Sequence, residues 1–552
     1  MSTPIPVLIA GAGPSGLVLA LTLAKNGVPV RIIEKDTKYH VGQRGAGIQP
    51  RSQDIYGYLG TLPDVVNAGR PNLLRCIYEM PGGTVPAKIY DMTPFNPPTP
   101  SVPNRNPIIL GQAHNEEILR AHLAKHDVYI ELCTELVGFE QSESGVTAHI
   151  VKHENGNETQ ETVHTRWLVG ADGARSIVRK QLGLTFLGDT RQGEHIVIGD
   201  LEVKNLSRDF WHTWGSMSTK LIYLRPTEYD GIFSLLIGGQ FDRDALINSR
   251  EALLNHIRET TNRHELEFGI IKWLSDFKPN IRMVNKFGEG NVFIVGDAAH
   301  VHSPTGGQGM NTGVQDAFNL GWKLSLVYKG HASPSLLETY SEERLPVIDE
   351  MLNKTTVLLN KTLAFKSDGS NTASLDRPKI LHMLGVNCRS SGIVVDEQPD
   401  AADAPKVGYL EEDWSVLYAG DRAPDASRIL ALGVQPVERS TLFKIFGPTH
   451  HTALVYTNVV DPEETKAVLE AIQTCPAGSM QTVAVLPHSF AHPAKLEGFD
   501  WTILDTNSYA LAGYPPVAKG FGVIIVRPDG VVGAIVKGAE GVKRYLSGVF
   551  KL

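Results

Sequence analysis

A glycine-rich turn near the amino terminus constrains the fold of this chain more than any other feature. Gly11, Gly13 and Gly16 form a G-x-G-x-x-G motif between a short apolar run at 6–10 and an apolar helical stretch at 13–26. In such a motif the first glycine permits a tight turn, the second lets a pyrophosphate approach the backbone, and the third lets the helix pack on the strand. The amino terminus of the helix offers N–H groups and a positive dipole end to phosphate oxygens. The motif therefore predicts a dinucleotide-binding turn between a strand and a helix.

The same segment has the length of a signal peptide or of a membrane-spanning helix. No Lys or Arg precedes the apolar run 5–24, and three glycines and Pro14 interrupt its middle, where a spanning helix needs continuous backbone hydrogen bonds. We therefore expect a buried strand and helix here, and no membrane span.

Charge and cysteine content narrow the class of protein. The chain has 52 Lys and Arg against 60 Asp and Glu, a net charge of −8, and no basic run, so nucleic acid and anionic membranes are poor partners. Its four cysteines, Cys76, Cys133, Cys388 and Cys475, show neither a C-x-x-C pair nor metal-ligand spacing. This pattern predicts a cytoplasmic protein without a disulfide framework and without a metal site.

Three later segments extend the nucleotide-binding pattern. A second predicted strand, 28–33, ends at Glu34, 18 positions after Gly16, where a carboxylate can accept hydrogen bonds from both ribose hydroxyls. A strand at 167–170 leads into Asp172, and a strand at 291–295 leads into Asp297. Asp297 can accept hydrogen bonds from a polyol such as the ribityl chain of a flavin. The glycine-rich loop 306–309 then enters a helix whose amino terminus can stabilise negative charge on one edge of the flavin ring.

With these motifs in order, the sequence resembles the class A flavoprotein monooxygenases, the FAD-dependent aromatic hydroxylases that include para-hydroxybenzoate hydroxylase and phenol hydroxylase. The motifs are GAGPSG at 11–16, ADGARSIVR at 171–179 and GDAAHVHSPTGGQGMN at 296–311, and the resemblance covers about the first 395 residues. It implies an α/β fold in which a Rossmann-like FAD-binding domain is interleaved with an antiparallel-sheet substrate domain. The last third resembles the thioredoxin-like domain of phenol hydroxylase-type members.

The resemblance also implies domain boundaries. The discontinuous FAD-binding domain is expected at 1–75, 105–187 and 285–362, and the substrate domain at 76–104 and 188–284. Residues 363–412 are predicted to be a linker, and 413–552 the thioredoxin-like domain. Because Cys475 is single, we expect that domain to serve as a dimer contact or a structural cover, and not in thiol chemistry.

Cofactor-binding roles follow from the resemblance, residue by residue. Asp172 belongs to a motif that positions FAD and lies on the path of the nicotinamide cofactor, with a structural turn as the alternative. Arg44 and Lys35 can supply charge for NADPH or NADH, and Pro304 is expected beside the reactive edge of the ring. His300 and His302 are expected to pack and cap, not to catalyse. The full cofactor set is Gly11, Gly13, Ser15, Gly16, Glu34, Lys35, Arg44, Gln112, Asp172, Asp297, Pro304, Gly309, Met310 and Asn311.

The function implied is an NAD(P)H-dependent monooxygenase that hydroxylates a phenolic aromatic substrate with O₂ through a flavin C4a-hydroperoxide. Substrate contacts are predicted at Trp214, Tyr223 and Phe233, with plain sheet packing as the alternative for each. Ala46 stands where phenol hydroxylase places an aspartate beside its phenol, so the catalytic base is unassigned, or the substrate binds already ionised. Two alternatives remain open: a monooxygenase or epoxidase acting on a prenylated or polyketide metabolite, and a flavin-binding protein without turnover. A homodimer is expected.

Overall fold

The computed structural model describes residues 5–154, 156–190, 196–278, 280–302, 306–363, 377–411, 416–433, 439–457, 462–490, 493–514 and 521–552. Pro304 lies outside these ranges, so its predicted role stays a prediction. The helices are Pro14–Lys25, Pro50–Leu59, Leu62–Ala68, Gln112–Ala124, Ile177–Gln181, Arg243–Asn248, Arg250–Thr261, Gly309–Tyr328, Glu338–Leu363, Pro462–Gln473, Tyr509–Gly513 and Ala539–Val549. Among the helices described, none is both long and apolar enough to cross a bilayer.

A mostly parallel sheet forms the centre of the first part of the chain. Val7–Ala10 is buried at all four positions and pairs in parallel with Val30–Ile33 on one side and Trp167–Gly170 on the other. Fully apolar runs of this kind are typical of parallel strands that are covered on both faces. In the described residues the strand order is Gly288–Glu289, Val292–Ile294, Trp167–Gly170, Val7–Ala10, Val30–Ile33 and Ile130–Glu131.

The helix that follows the first turn packs against the helix Gly309–Tyr328. At Gly321 an added Cβ would lie only 2.7 Å from the Thr22 side chain, so these two helices approach closely at that point. Three small three-stranded sheets flank the main sheet. They are Thr134–Ser142 with Gly145–Glu154 and Asn157–Thr165; Gly47–Ile48 with Ile108–Ile109 and Arg70–Pro71; and Leu187–Thr190 with Asn280–Met283 and His300–Val301.

A second, larger sheet lies beside the first. Its strands in order are Glu267–Phe277, Ile196–Lys204, Ile232–Gly239, Lys220–Pro226, Phe210–Gly215, Leu74–Tyr78 and Pro86–Tyr90. One face packs on the helices Arg243–Asn248 and Arg250–Thr261 in a separate apolar core. The sequence pattern predicts one helix near 245–260, but the chain forms two. Ser249 ends the first helix and caps the second, because its side chain accepts a hydrogen bond from the Ala252 N–H.

The last part of the chain builds a sheet of eight strands within the described residues. Their order is Val395–Asp396, Val532–Val536, Phe521–Val526, His451–Thr457, Met480–Pro487, Trp501–Asp505, Ser427–Leu432 and Arg439–Thr441. His451–Thr457, the helix Pro462–Gln473 and Met480–Pro487 form a parallel strand–helix–strand unit, and 521–536 is an antiparallel hairpin. Val395–Asp396, in the segment expected to be a linker, pairs in parallel with the hairpin.

Candidate functional site

The three glycines of the first turn meet different surroundings. Gly11 has φ +106° and an added Cβ would overlap the carbonyl of Ala171, so only glycine fits this turn. At Gly16 an added Cβ would overlap the carbonyl oxygen of Gly11, which shows how closely the helix lies on the turn. An added Cβ at Gly13 would meet nothing within 4 Å. We call this open space the cradle; it leaves room for a phosphate to approach the backbone, which is the contact that the motif predicts for the second glycine.

Glu34 lies at the end of the second strand, directly over this turn. Its Oε2 accepts a hydrogen bond from the Ala12 N–H at 2.9 Å, and its Oε1 accepts one from the Asp36 N–H at 3.1 Å. The side chain remains partly accessible, whereas Lys35 points to solvent. These contacts hold the carboxylate beside the phosphate cradle, where it can reach a ribose.

Ser15 joins the first turn to the third. An added Cβ at either Gly296 or Gly313 would overlap the Ser15 hydroxyl, so this side chain is inserted between the strand-end turn and the long helix. Sequence reasoning placed Ser15 only in the cofactor-binding set and missed this packing role. The insertion brings two segments nearly 300 positions apart into one site.

Asp297 lies in the turn Gly296–Ala298, and its side chain is exposed. The many protein atoms around it raise the pKa of its carboxyl, and nearby His300 lowers it to a smaller extent. His300 itself is fully buried, with Nε2 2.6 Å from the Asp316 carboxylate. Asp316 also accepts hydrogen bonds from Arg344 Nε at 2.7 Å and from the Gly296 N–H at 3.2 Å. His300 is therefore a buried packing and capping residue beneath the turn, whereas the Asp297 side chain is exposed.

The amino terminus of the helix Gly309–Tyr328 is held in place by Asn311. The Asn311 side chain accepts from the Gln49 N–H at 2.8 Å and donates to the carbonyls of Gly47 and Gly307 at 2.7 Å. The first-turn N–H groups of this helix have no intrahelical partner, so they are available to a ligand at its amino terminus. Gly309 also packs closely on the His302 ring, where an added Cβ would lie 2.8 Å from Nε2.

Arg44 lies in an exposed loop next to Gln112, the first residue of the helix Gln112–Ala124. Arg44 has φ +35° and its guanidinium carbon is 5.8 Å from the centre of the Trp273 ring. Gln112 accepts from the Gly45 N–H at 3.4 Å and donates to Glu116 at 2.9 Å. Met310 also lies close to Gly45, where an added Cβ would be 3.6 Å from the Met310 Cβ. The loop that carries Arg44 is thus fastened to the helix 112–124, which brings the predicted Arg44, Gln112 and Met310 together.

Asp172 forms a helix cap. Its Oδ2 accepts from the Ile177 and Val178 N–H groups at 2.8 and 3.3 Å, while its buried Oδ1 has no hydrogen-bond partner among the described residues. The capping contacts correspond to the structural turn that the sequence left as the alternative for this residue.

The predicted substrate residues are divided between the two faces of the seven-stranded sheet. Trp214 and Phe233 are both 0% exposed in the helix-covered core, where Trp214 stacks on Tyr78 at 4.7 Å and donates to the Gly83 carbonyl at 2.8 Å. Tyr223 lies on the opposite face, which we call the inner face. The structure therefore does not bring the three together, since side chains alternate along a strand.

The inner face is defined by Arg75, Trp211, Thr213, Tyr223 and Arg225. It is turned toward the Arg44 loop, because Arg225 Nη2 donates to Gln43 Oε1 at 3.1 Å and Gln43 N–H donates to Asp200 at 2.8 Å. Sequence reasoning missed Gln43 and both arginines. The alternation of the strands could have grouped Trp211 with Tyr223, but nothing local marks which face the helices cover.

The residues present fit FAD. Glu34 contacts the turn that contains Gly13, and Ser15 of the same turn lies against Gly296 and against the helix Gly309–Tyr328. Groups suited to an adenosine ribose, a pyrophosphate, a ribityl chain and a flavin edge are therefore linked by direct contacts. Each donor or acceptor matches the group that it would meet. Fold and site together define an FAD-binding oxidoreductase.

Comparison with known proteins agrees. The sequence profile described as "FAD binding domain" matches residues 4–355. A flavin-dependent monooxygenase of Mycobacteroides abscessus is 32% identical over 461 residues, 82% of this chain and 88% of that protein. Pentachlorophenol 4-monooxygenase of Sphingobium chlorophenolicum is 30% identical over 466 residues, 82% of this chain and 80% of that protein. The solved flavin-dependent monooxygenase PieE, in complex with FAD and substrate, has a TM-score of 0.82 at 24% identity, over 99% of this chain and 98% of that one.

The chain belongs to the FAD-binding domain family of flavin-dependent monooxygenases. It is an oxidoreductase with FAD as its cofactor, as the resemblance of its motifs predicts.

Proposed function

We propose that this enzyme hydroxylates a phenolic aromatic substrate in the cleft between the Arg44 loop and the inner face. The observation that carries the proposal is the path of one short segment. Gln43 contacts the inner face through Arg225 and Asp200, and four residues further on the Gly47 carbonyl bonds to Asn311 at the flavin edge. The segment 43–49 therefore supports a cleft in which an aromatic ring has the flavin edge on one side and Trp211 and Tyr223 on the other.

When bound, FAD accepts reducing equivalents from NAD(P)H and activates O₂ for transfer to the ring. The chain's own contribution is binding, orientation and exclusion of water. Gly13 and the amino terminus of the helix Gly309–Tyr328 would hold the phosphates and the ring edge. Asn311 fixes that helix to the 47–49 segment, and Trp211 and Tyr223 of the inner face would lie near the substrate ring. Exclusion of water prevents side reactions of the reactive intermediates of catalysis.

The test is oxidation of NADPH and of NADH by the FAD-loaded enzyme across a panel of phenols, with ¹⁸O₂ as the oxidant. We expect phenol-stimulated oxidation and a product that carries one ¹⁸O atom. An absence of both would contradict the proposal and favour a flavin-binding protein without turnover. Location of the added oxygen by mass spectrometry separates ring hydroxylation from epoxidation of a prenylated or polyketide metabolite.

We also propose that the domain boundaries follow the expected pattern, with a thioredoxin-like fold at 413–552. The support is the strand–helix–strand unit 451–487 followed by the hairpin and the terminal helix. Burial raises the pKa of the Cys475 thiol to about 12, which leaves it protonated at neutral pH and favours a structural role. The proposal includes a homodimer in the cytoplasm, and light scattering of the purified protein measures its mass in solution.

A further inference from the structure

Arg75 lies in an unusual setting on the inner face. It is 1% exposed, its Nε donates to Thr213 at 2.8 Å and its Nη1 lies 3.0 Å from the Met92 sulfur. The guanidinium is placed between two rings, 5.1 Å from the centre of Trp211 and 4.2 Å from that of Tyr223. Its Nη2 is buried without a hydrogen-bond partner in the described part of the chain, and no carboxylate of that part forms an ion pair with it.

Two more hydrogen-bond donors of the inner face are buried without a partner among the described residues. Arg225 is 8% exposed and 5.7 Å from the Trp211 ring; its Nη1 is buried and unpartnered among the described residues, and burial lowers the pKa of its guanidinium. The indole N–H of Trp211 is also buried without a partner in that part of the structure. The inner face therefore has three buried donors without a partner among the described residues, two of them cationic, and both guanidinium groups lie close to the Trp211 ring, 5.1 and 5.7 Å from its centre.

The neighbouring carboxylates are already engaged. Asp200 accepts from the Gln43 N–H and from Trp273 Nε1. Burial raises the pKa of its carboxyl, and the nearby Arg225 guanidinium lowers that pKa to a smaller extent. Glu228 accepts from Gln43 Nε2 at 2.8 Å and from the Gly111 N–H at 3.3 Å. Leaving buried charged donors unpaired is costly, so a site of this kind is built for a group that arrives from outside.

We propose that Arg75, Arg225 and the indole N–H of Trp211 form an anion subsite, which binds the phenolate or carboxylate oxygens of an aromatic substrate. Guanidinium groups suit such oxygens because they present paired N–H donors and stack on aromatic faces. The inference rests on the proposed function, and it names the substrate class as anionic aromatics. It also accounts for Ala46: a phenol that binds as its phenolate needs no carboxylate base at that position.

The experiment measures equilibrium binding to the FAD-loaded enzyme by calorimetry, without NAD(P)H. The probes are benzoate and 4-nitrophenolate, with the neutral analogues benzyl alcohol and 4-nitroanisole. We expect the wild type to bind at least one anion about tenfold or more tightly than its neutral analogue. Arg75→Gln and Arg225→Gln should each remove most of that preference, whereas Arg75→Lys should keep part of it.

Arg258→Gln is the matched control, because Arg258 also lies over an aromatic ring, 5.3 Å from that of Phe268, but on the helix-covered side of the sheet. Its anion preference should equal that of the wild type. Flavin content and melting temperature show whether each variant is folded, and Arg75→Lys supplies the test if Arg75→Gln is not. Equal affinity for anions and neutral analogues in the wild type, or equal losses in Arg75→Gln and Arg258→Gln, would overturn the subsite.

The binding and turnover experiments distinguish failure of the anion subsite from failure of the proposed hydroxylase function. Phenol-stimulated turnover without anion preference removes the subsite and leaves the hydroxylase. Anion preference that depends on Arg75, together with no turnover of any phenol, supports the subsite and removes the hydroxylase. A preference for 4-nitrophenolate over benzoate assigns the subsite to a phenolate, and the reverse assigns it to a carboxylate.

Discussion

Arg527 of the carboxyl-terminal hairpin and Glu343 of the long helix Glu338–Leu363 form a bidentate ion pair, with N–O distances of 2.8 and 2.9 Å. Both side chains are fully buried, and Lys323 donates to the same carboxylate at 2.8 Å. The pair joins the last part of the chain to the helices that support the flavin edge. The two parts therefore share one polar core and should unfold together.

Glu343→Gln should lower the free energy of unfolding by about 3 kcal/mol, because it leaves two buried cations short of one negative charge. Urea unfolding of the FAD-loaded protein measures this difference. Glu342→Gln is the control: the Glu342 carboxylate is exposed and accepts only from the Gly392 N–H at 3.0 Å among the described residues. Equal losses in both variants would show that the buried pair does not carry the stability.

The same pair predicts the effect of pH. Burial alone would raise the pKa of Glu343, but Arg527 and Lys323 outweigh it and hold the pKa below the ordinary value of 4.5. Since the folded-state pKa is depressed, the stabilisation is complete above pH 4.5 and is lost as the pH falls toward the folded-state pKa. The difference between wild type and Glu343→Gln should be constant near pH 7 and shrink below about pH 4.5, if followed by unfolding titrations.

Gly13→Ala should mainly weaken FAD binding, whereas Gly16→Ala should mainly lower the stability of the apoprotein. Gly13→Ala puts a methyl group into the open cradle, so the apoprotein should keep its stability while FAD affinity falls about tenfold or more. Gly16→Ala forces the helix away from the Gly11 carbonyl and should cost about 1–3 kcal/mol of apoprotein stability. Thermal unfolding of both apoproteins and titration with FAD give the two values; loss of stability in Gly13→Ala would contradict the cradle.

Asp297→Ala should yield protein that lacks flavin colour after purification. The carboxylate lies where the ribityl hydroxyls would donate to it, and hydrogen bonds to charged acceptors contribute about 1.5–3 kcal/mol each. The ratio of flavin to protein absorbance is the measurement. Asp209→Ala, at an exposed position just before the strand Phe210–Gly215, should be as yellow as the wild type. A yellow Asp297→Ala enzyme would contradict the prediction that Asp297 binds the ribityl chain.

Asn311→Ala should weaken FAD binding without unfolding the chain. The substitution removes three hydrogen bonds between the helix amino terminus and the segments 47–49 and 306–307. We expect about a tenfold rise in the dissociation constant of FAD, because the flavin edge is no longer held in register. Fluorescence titration with FAD tests this, and Asn248→Ala, an exposed helix-end residue, should show no change.

Much of the local structure could be predicted from the sequence. The strand Trp167–Gly170 has the predicted bounds, and the predicted strand at 6–10 agrees with the observed Val7–Ala10 within a residue. These elements are short apolar runs closed by glycine or aspartate turns, and such signals are local. The split at Ser249 was missed, since a serine can sit within a helix or cap one.

By itself, the sequence determined the glycine turn at 11–16, the two glycine–aspartate turns at 172–173 and 296–297 and, through them, the cofactor. Each depends on backbone conformation and on groups within a few residues of one another, which a linear pattern records. Only the tertiary structure decided which face of the seven-stranded sheet is the inner one. Strand periodicity separates Trp214 from Tyr223, but the packing of distant helices buries one face and leaves the other to Arg75, Arg225 and the cleft. Contacts such as Arg75 with Thr213 join residues 138 positions apart, and no local signal encodes them.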